Sequence, residues 1–276
     1  MFKKVYRSIL WILTICCIII GLHIHTSGGM SWFFHRLTGD GKGGQEIVKE
    51  TITDSSYAGW HKLNIDVSVL DIKIASGKDY QIQYEGEKRL KPEITVQSDT
   101  LVISQKEKNG FIFFGGSKEG VLTITLPKDM KLSNADIASD TGEVSLRELS
   151  IDQMEMDLDT GELHLEQCQL GVGKLRTDTG EIYVEDSSMT EYEVRSDTGK
   201  IKMDQCHFDV LSCRTDTGDI EVEAADSLED YYMELKTDTG TIEINDQKFE
   251  KKAVVGKENA KKKLSADTDT GDIRIR

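Results

Sequence analysis

Gly161-Glu162-Leu163-His164-Leu165-Glu166-Gln167-Cys168-Gln169-Leu170-Gly171-Val172-Gly173-Lys174-Leu175-Arg176-Thr177-Asp178-Thr179-Gly180 is the stretch that decides the fold. It closes on Asp-Thr-Gly, and the chain repeats that tripeptide seven times. The copies are Asp140, Thr141, Gly142; Asp159, Thr160, Gly161; Asp178, Thr179, Gly180; Asp197, Thr198, Gly199; Asp216, Thr217, Gly218; Asp238, Thr239, Gly240; and Asp269, Thr270, Gly271. The first four intervals are 19 residues each, and the last two are 22 and 31. A fixed period near 20 residues marks a solenoid whose repeats stack on their neighbours.

Two positions after each glycine stands an aliphatic residue (Val144, Leu163, Ile182, Ile201, Ile220, Ile242, Ile273), and four after it another. Such alternation makes a half-buried strand, because successive side chains point to opposite faces. A second strand precedes each glycine, with an inward column five residues back of Met156, Leu175, Val194, Cys213 and Leu235. No single repeat can bury its own apolar stripe, so stacking at about 4.8 Å per rung supplies the core. The expected class is all-β: a single-stranded β-solenoid, or β-helix-like stack, of repeats of about 19 residues, preceded by one N-terminal transmembrane helix.

Asp-Thr-Gly is also the tripeptide of aspartic proteases, which need two carboxylates sharing a proton in a protected cleft. Seven copies on consecutive rungs do not make a solitary buried pair. A corner is the reading taken: glycine accepts φ > 0, and aspartate can bond nearby backbone amides. Stacked carboxylates about 4.8 Å apart repel by about 0.9 kcal/mol per pair even in water. Arg176, Arg195, Arg214 and Lys236 stand two residues before motif aspartates and share their face. The strand after the glycine carries an acidic outward face. Its candidate binding residues are Glu162, Glu181, Glu185, Asp219, Glu221 and Glu223, interrupted by Lys200 and Lys202.

In chain order, residues 1–5 form a short basic tail expected in the cytoplasm. Residues 6–25 are apolar, with an uncharged centre from Ser8 to Ile24, at the lower limit for a spanning helix. No small-x-small cleavage site follows, so an uncleaved signal anchor is read in preference to a cleaved signal peptide. Positive charge at its start keeps that end cytoplasmic and sends the rest outward, giving a single-pass protein of the cell membrane. Residues 26–60 are expected as a flexible linker, with Gly39-Asp-Gly-Lys-Gly-Gly44. Residues 61–276 form the extracytoplasmic solenoid: irregular starting rungs at 61–138, regular repeats at 139–244, a Lys-rich insertion at 245–264 and a last rung at 265–276. The insertion reads as an amphipathic cover for the last rung, or as a surface for anionic wall polymers or lipid heads. Charges on Arg274 and Arg276 would discourage end-to-end growth of the final strand.

The net charge of −15 makes a poor nucleic-acid binder and a cation-attracting surface. Cys16 and Cys17 fall in the apolar segment; Cys168, Cys206 and Cys213 read as small core residues. Cys168 and Cys206 are two rungs apart in one column, about 9.6 Å by strand spacing, too far for a disulfide. No Cys/His spacing resembles a zinc site, and neither a metal nor a cofactor is expected. Without the Gly-Gly-x-Gly-x-Asp repeat of calcium β-rolls, a divalent cation would bind only weakly through surface carboxylates.

The (Ser/Thr)-Asp-Thr-Gly-x-(Val/Ile/Leu)-x-(Val/Ile/Leu/Met) units from Ser139 to Ile275, with the N-terminal apolar segment, resemble the bacterial putative-adhesin family of membrane-anchored β-strand-repeat proteins. That group is a domain of unknown function and includes LiaG-like proteins of envelope-stress operons; the resemblance covers roughly residues 60–276. It implies an extracytoplasmic, non-enzymatic binding or adhesin-like module at the cell envelope, linked to envelope stress, with a wall polymer or envelope protein as partner. The alternatives are a polysaccharide-acting β-helix enzyme, which would need two carboxyls at a defined separation, and a cation-dependent structural or adhesion protein.

Overall fold

A computed structural model describes residues 46–53, 59–105 and 120–276. The described strands, in chain order, begin with β1 (Ile47–Ile52), β2 (Lys62–Gly77), β3 (Gln81–Glu87), β4 (Glu93–Gln97), β5 (Thr100–Ser104), β6 (Gly120–Pro127), β7 (Lys131–Leu132), β8 (Asn134–Thr141) and β9 (Val144–Arg147). The regular repeats supply β10 (Ser150–Thr160), β11 (Leu163–Glu166), β12 (Gln169–Thr179), β13 (Ile182–Glu185), β14 (Ser188–Thr198), β15 (Ile201–Thr217) and β16 (Ile220–Ala224). The remainder are β17 (Tyr231–Thr239), β18 (Ile242–Ile244), β19 (Gln247–Phe249), β20 (Lys252–Val255), β21 (Lys262–Thr270) and β22 (Ile273–Ile275). The apolar segment 6–25 lies outside the described residues. Among those described, no helix is long and apolar enough to cross a membrane.

Each rung contributes one strand to sheet A, after its glycine, and one to sheet B, before it. In sheet A, Leu163 pairs with Ile182, Ile182 with Ile201 and Ile201 with Ile220, all parallel. In sheet B, Met156 pairs with Leu175, then Val194, then Cys213. The columns read from the period are therefore columns in space, and their side chains are buried in one continuous core. Like sits over like because every rung turns at the same two corners.

The first corner is the glycine. Gly180 has φ +154°, and a Cβ there would lie 1.8 Å from the carbonyl oxygen of Gly161 on the neighbouring rung. Only a residue without a side chain satisfies both the dihedral and the stacking distance. The second corner lies six residues on, at Glu148, Gln167, Asp186 and Gln205, with φ between 48° and 55°. These are left-handed positions held by ordinary residues, at a backbone cost of about 1–2 kcal/mol each.

The residue before the motif aspartate forms a buried hydroxyl column. Thr177 Oγ1 donates to the Gly161 carbonyl at 3.2 Å, Ser196 Oγ to Gly180 at 3.0 Å and Thr215 Oγ1 to Gly199 at 3.1 Å. In return Gly161 N–H donates to the Thr179 carbonyl and Gly180 N–H to that of Thr198. The corner carbonyl, which the turn leaves inside the coil, is thereby satisfied. The motif aspartates take a different part from the one expected of them. Among the described residues no backbone amide bonds their carboxylates. Instead Arg176 pairs with Asp178 and Arg195 with Asp197, both at 2.9 Å, and Lys236 with Asp238 at 3.0 Å. The corner is built by glycine and the buried hydroxyl, and the aspartate neutralises the cation column beside it.

The order of rungs departs from the order of the chain at both ends. Instead of ending the coil, β21 and β22 lie between the β15/β16 rung and the β17/β18 rung. The hydroxyl column follows the spatial order: Thr268 bonds Gly218 at 3.0 Å, and Thr237 bonds Gly271 at 2.9 Å. The 22- and 31-residue intervals are the outward step and the return. The intervening Lys-rich segment folds antiparallel onto the outermost rung, β19 on β18 and β20 on β17. It covers the Gly240 rung, whereas the expected target was the 265–276 rung.

The other end is closed in the same manner. β2 spans both sheets and pairs with β8 and β9 on one side and with β5 and β6 on the other. β3 packs antiparallel on β6, and β4 on β5. The starting rungs thus share both sheets with the regular repeats. Two features depart from the expected linker 26–60: β1 pairs antiparallel with β3 along Ile47–Ile52, and Trp60 is buried in the core. β1 alternates weakly, because it is an edge strand with most of its side chains exposed.

Candidate functional site

The strands β9, β11, β13, β15, β16, β22 and β18 turn alternate side chains to solvent on sheet A. Here the structure gathers the acidic candidates, and it divides them. Asp219 and Glu221 are drawn together by Arg274, at 3.5 and 2.9 Å, because the inserted β22 stands beside β16. Lys200 pairs with Glu221 from the other side at 2.6 Å. Burial pushes the Glu221 carboxyl up while Lys200 and Arg274 push it down, and the cations win: it ionises below its ordinary value. Asp219 also accepts the Asp272 N–H at 2.8 Å, as Asp71 accepts that of Glu143 at 3.0 Å. These side chains splice rungs together.

The central rungs are different. Glu162 meets the His164 ring at 3.0 Å, and Glu181 accepts a hydrogen bond from the Tyr183 hydroxyl. That bond, with burial second, raises the Tyr183 phenol to about 12. His164 and Tyr183 stack on each other, centroids 4.9 Å apart and planes 12° from parallel. Glu223 accepts from Gln205 Nε2 at 2.5 Å. The carboxylate of Glu185, exposed on β13, has no hydrogen bond or ion pair among the described residues. Reading the acidic columns alone missed the two rings, although both stand three residues after a motif glycine, the signal that could have found them. Arg274 was invisible as a partner because its rung is 55 residues from Asp219 in the chain.

On the opposite side, where sheet B bends, an open groove of about 630 Å³ runs along the coil past Gln153, Val172, Glu191 and Val210. Val172 is 41% exposed there. Gly171 and Gly173 flank it because a Cβ at either would fall 2.2 Å from a carbonyl of the neighbouring strand. The buried thiols are unsuited to nucleophilic work: burial pushes Cys168 and Cys206 up to about 11, and Cys213 to about 12. Ser187 sits between the first two, its hydroxyl accepting the Cys168 N–H at 3.0 Å. Among the described residues no group of three or more His, Cys, Asp or Glu is arranged to hold a metal.

A parallel two-sheeted coil of short rungs, closed at each end by antiparallel strands, defines a β-helix-like class of repeat protein. A family model described as Toastrack DUF4097, a domain of unknown function, matches residues 60–276, and the chain belongs to that family. None of the curated proteins matches it. Among solved structures it is similar to a putative adhesin from Bacteroides fragilis, with 13% identity, a TM-score of 0.54, and coverage of 84% of this chain and 98% of that one. It is also similar to a putative adhesin from Parabacteroides distasonis (12% identity, TM-score 0.47, 85% and 98% covered). A putative lipid binding protein from the same organism gives 13% identity, a TM-score of 0.45, and 86% and 98% coverage. The first of these likenesses shows the fold.

Proposed function

We propose that the chain is an adhesin-like binding module of the cell envelope, held in the membrane by residues 6–25 with residues 61–276 outside, and that it acts without catalysis. The Bacteroides fragilis protein's description as a putative adhesin favours this reading. The observation that carries it is the centre of sheet A. There the His164–Tyr183 stack is set among Glu162, Glu181 and the unpaired Glu185 on a solvent-facing, repeating surface. Ring edges and carboxylates at rung spacing suit an extended, hydroxyl-rich partner such as a wall glycan, bound by many modest hydrogen bonds. Glu221 and Asp219, by contrast, are committed to Arg274 and Lys200, which suits a structural part better than a pair of catalytic carboxyls.

The test is a pull-down of the full-length chain on purified cell-wall polysaccharide, comparing Glu162→Gln/Glu181→Gln/Glu185→Gln and Tyr183→Ala with the native chain. Binding should fall by about tenfold in each, the loss of one or two hydrogen bonds' worth of affinity. Undiminished binding, or turnover of the polysaccharide, would defeat the proposal. A role in envelope stress is tested by whether expression of the chain rises when wall synthesis is inhibited.

A further inference from the structure

Cations on the repeats are consumed by the coil itself: Arg176, Arg195, Lys200, Lys202, Lys236 and Arg274 all sit within 3.0 Å of a carboxylate. The Lys-rich cap behaves otherwise. Residues 245–264 carry seven lysines against Asp246, Glu250 and Glu258, so the segment is positive within a chain of net charge −15. Lys262 is spent on Asp226 at 2.7 Å, and Lys251 bonds the Asp238 carbonyl. The ammonium groups of Lys248, Lys252, Lys257, Lys261 and Lys263, all on exposed residues, make no ion pair or hydrogen bond among the described residues, and Lys248 acts electrostatically on Asp272.

Lysine on an exposed strand edge also serves to block pairing, but Lys257 and Lys261 lie in the turn between β20 and β21, off any strand edge. The cap itself is well fixed. Gly256 turns at φ +92° against the Tyr231 carbonyl, and Ala253 is buried against the outermost rung. Lys252, Lys257 and Lys261 are thereby presented on a rigid support, with Lys263 on the next strand, β21, and opposing charge there costs little reorganisation on binding.

We infer that this cap is a binding surface for a phosphate-bearing anionic polymer, separate from the acidic face of sheet A. A thread-like polyanion fits better than a bilayer surface. Lipid-binding elements pair their lysines with long apolar or aromatic side chains that enter the membrane, and here Val254 is the exposed large apolar residue of the cap, with Phe249 half-buried. Binding is electrostatic, so it weakens as salt competes for the phosphates.

The experiment tethers the full-length chain to a sensor surface and passes over it poly(glycerol phosphate), then vesicles of phosphatidylglycerol or of phosphatidylcholine. The polymer binds the native chain, and its affinity falls about tenfold or more between 50 and 200 mM salt. Changing Lys252, Lys257, Lys261 and Lys263 together to Gln lowers affinity by a further factor of about ten or more, while Lys73→Gln at the far end of the coil changes nothing. Should the fourfold variant melt early, Lys252→Gln/Lys257→Gln and Lys261→Gln/Lys263→Gln are tested separately, each losing part of the affinity. Failure of the polymer to bind, equal binding by the variants, or preferential capture of phosphatidylglycerol vesicles would each overturn the assignment. All three outcomes are independent of glycan binding on sheet A, which the glutamate variants report.

Discussion

The Thr268 hydroxyl donates to the Gly218 carbonyl at 3.0 Å, across 50 positions of chain. That bond seats the last repeat against the fifth, inside the coil instead of at its end. Replacing Thr268 with Val keeps the shape and removes the donor, leaving a buried carbonyl without its partner. The expected loss is about 1–2 kcal/mol. It would be measured by urea unfolding, with an unchanged dependence on denaturant. The same change at Thr215 should cost a similar amount, since its bond to Gly199 is equivalent.

Gly199→Ala tests the glycine column. The residue has φ +152°, and an alanine Cβ would meet the Gly180 carbonyl oxygen at 1.8 Å. Backbone strain and steric overlap together should cost about 3 kcal/mol or more. For a domain of this size that lowers Tm by about 6–12 °C, readable by calorimetry. A change of less than about 1 kcal/mol would mean the rungs are not stacked this closely.

The second corner predicts a gain. Gln167 stands at φ 55°, and its side chain makes no hydrogen bond among the described residues. Gln167→Gly removes the left-handed penalty and adds chain entropy to the unfolded state, two opposed effects of comparable size. The balance should favour the variant by about 0.5–1 kcal/mol, a rise of about 1–4 °C in Tm.

Acid should loosen the inserted repeat. Asp226 accepts the Tyr231 hydroxyl at 3.2 Å and is paired with His207 at 3.1 Å and Lys262 at 2.7 Å, so it ties β21 to its neighbours. Its bond to Lys262 first, opposed by burial and assisted by His207, holds the carboxyl below its ordinary value. A depressed pKa means the stabilisation is complete above the unfolded-state value and is lost as pH falls through the folded-state value. Protection of amides in β17 and β21, measured against the intrinsic exchange rate at each pH, should therefore fall below about pH 4, where an aspartate protonates. Asp226→Asn should show the lower protection already at neutral pH and respond less to acid.

The repeat was legible from Gly161–Gly180 alone, because a strand's alternation and a glycine's dihedral are local properties that recur wherever the residues recur. The hydroxyl column was present in the sequence as the Ser or Thr before each motif except at Leu158, yet its partner, a carbonyl one rung away, has no signature in the sequence. The acidic face was also visible as a set of columns. Which carboxylates are consumed was not, because Arg274 reaches Asp219 and Glu221 only through the inserted strand. The strand at Ile47–Ile52 escaped notice because only Val48 and Ile52 of this edge strand pack against the core, too few to show an apolar period.

By itself, then, the sequence determined the unit: two strands, a glycine corner, inward aliphatic columns and an outward charged ladder, each set by steric and hydrophobic forces acting within about twenty residues. Only the tertiary structure decided the order in which the units stack. Every rung offers the same apolar columns and the same free edge to any other, so sequence adjacency does not choose the neighbour. The choice falls to contacts formed after the chain has folded back, with Thr268 on Gly218 and Thr237 on Gly271.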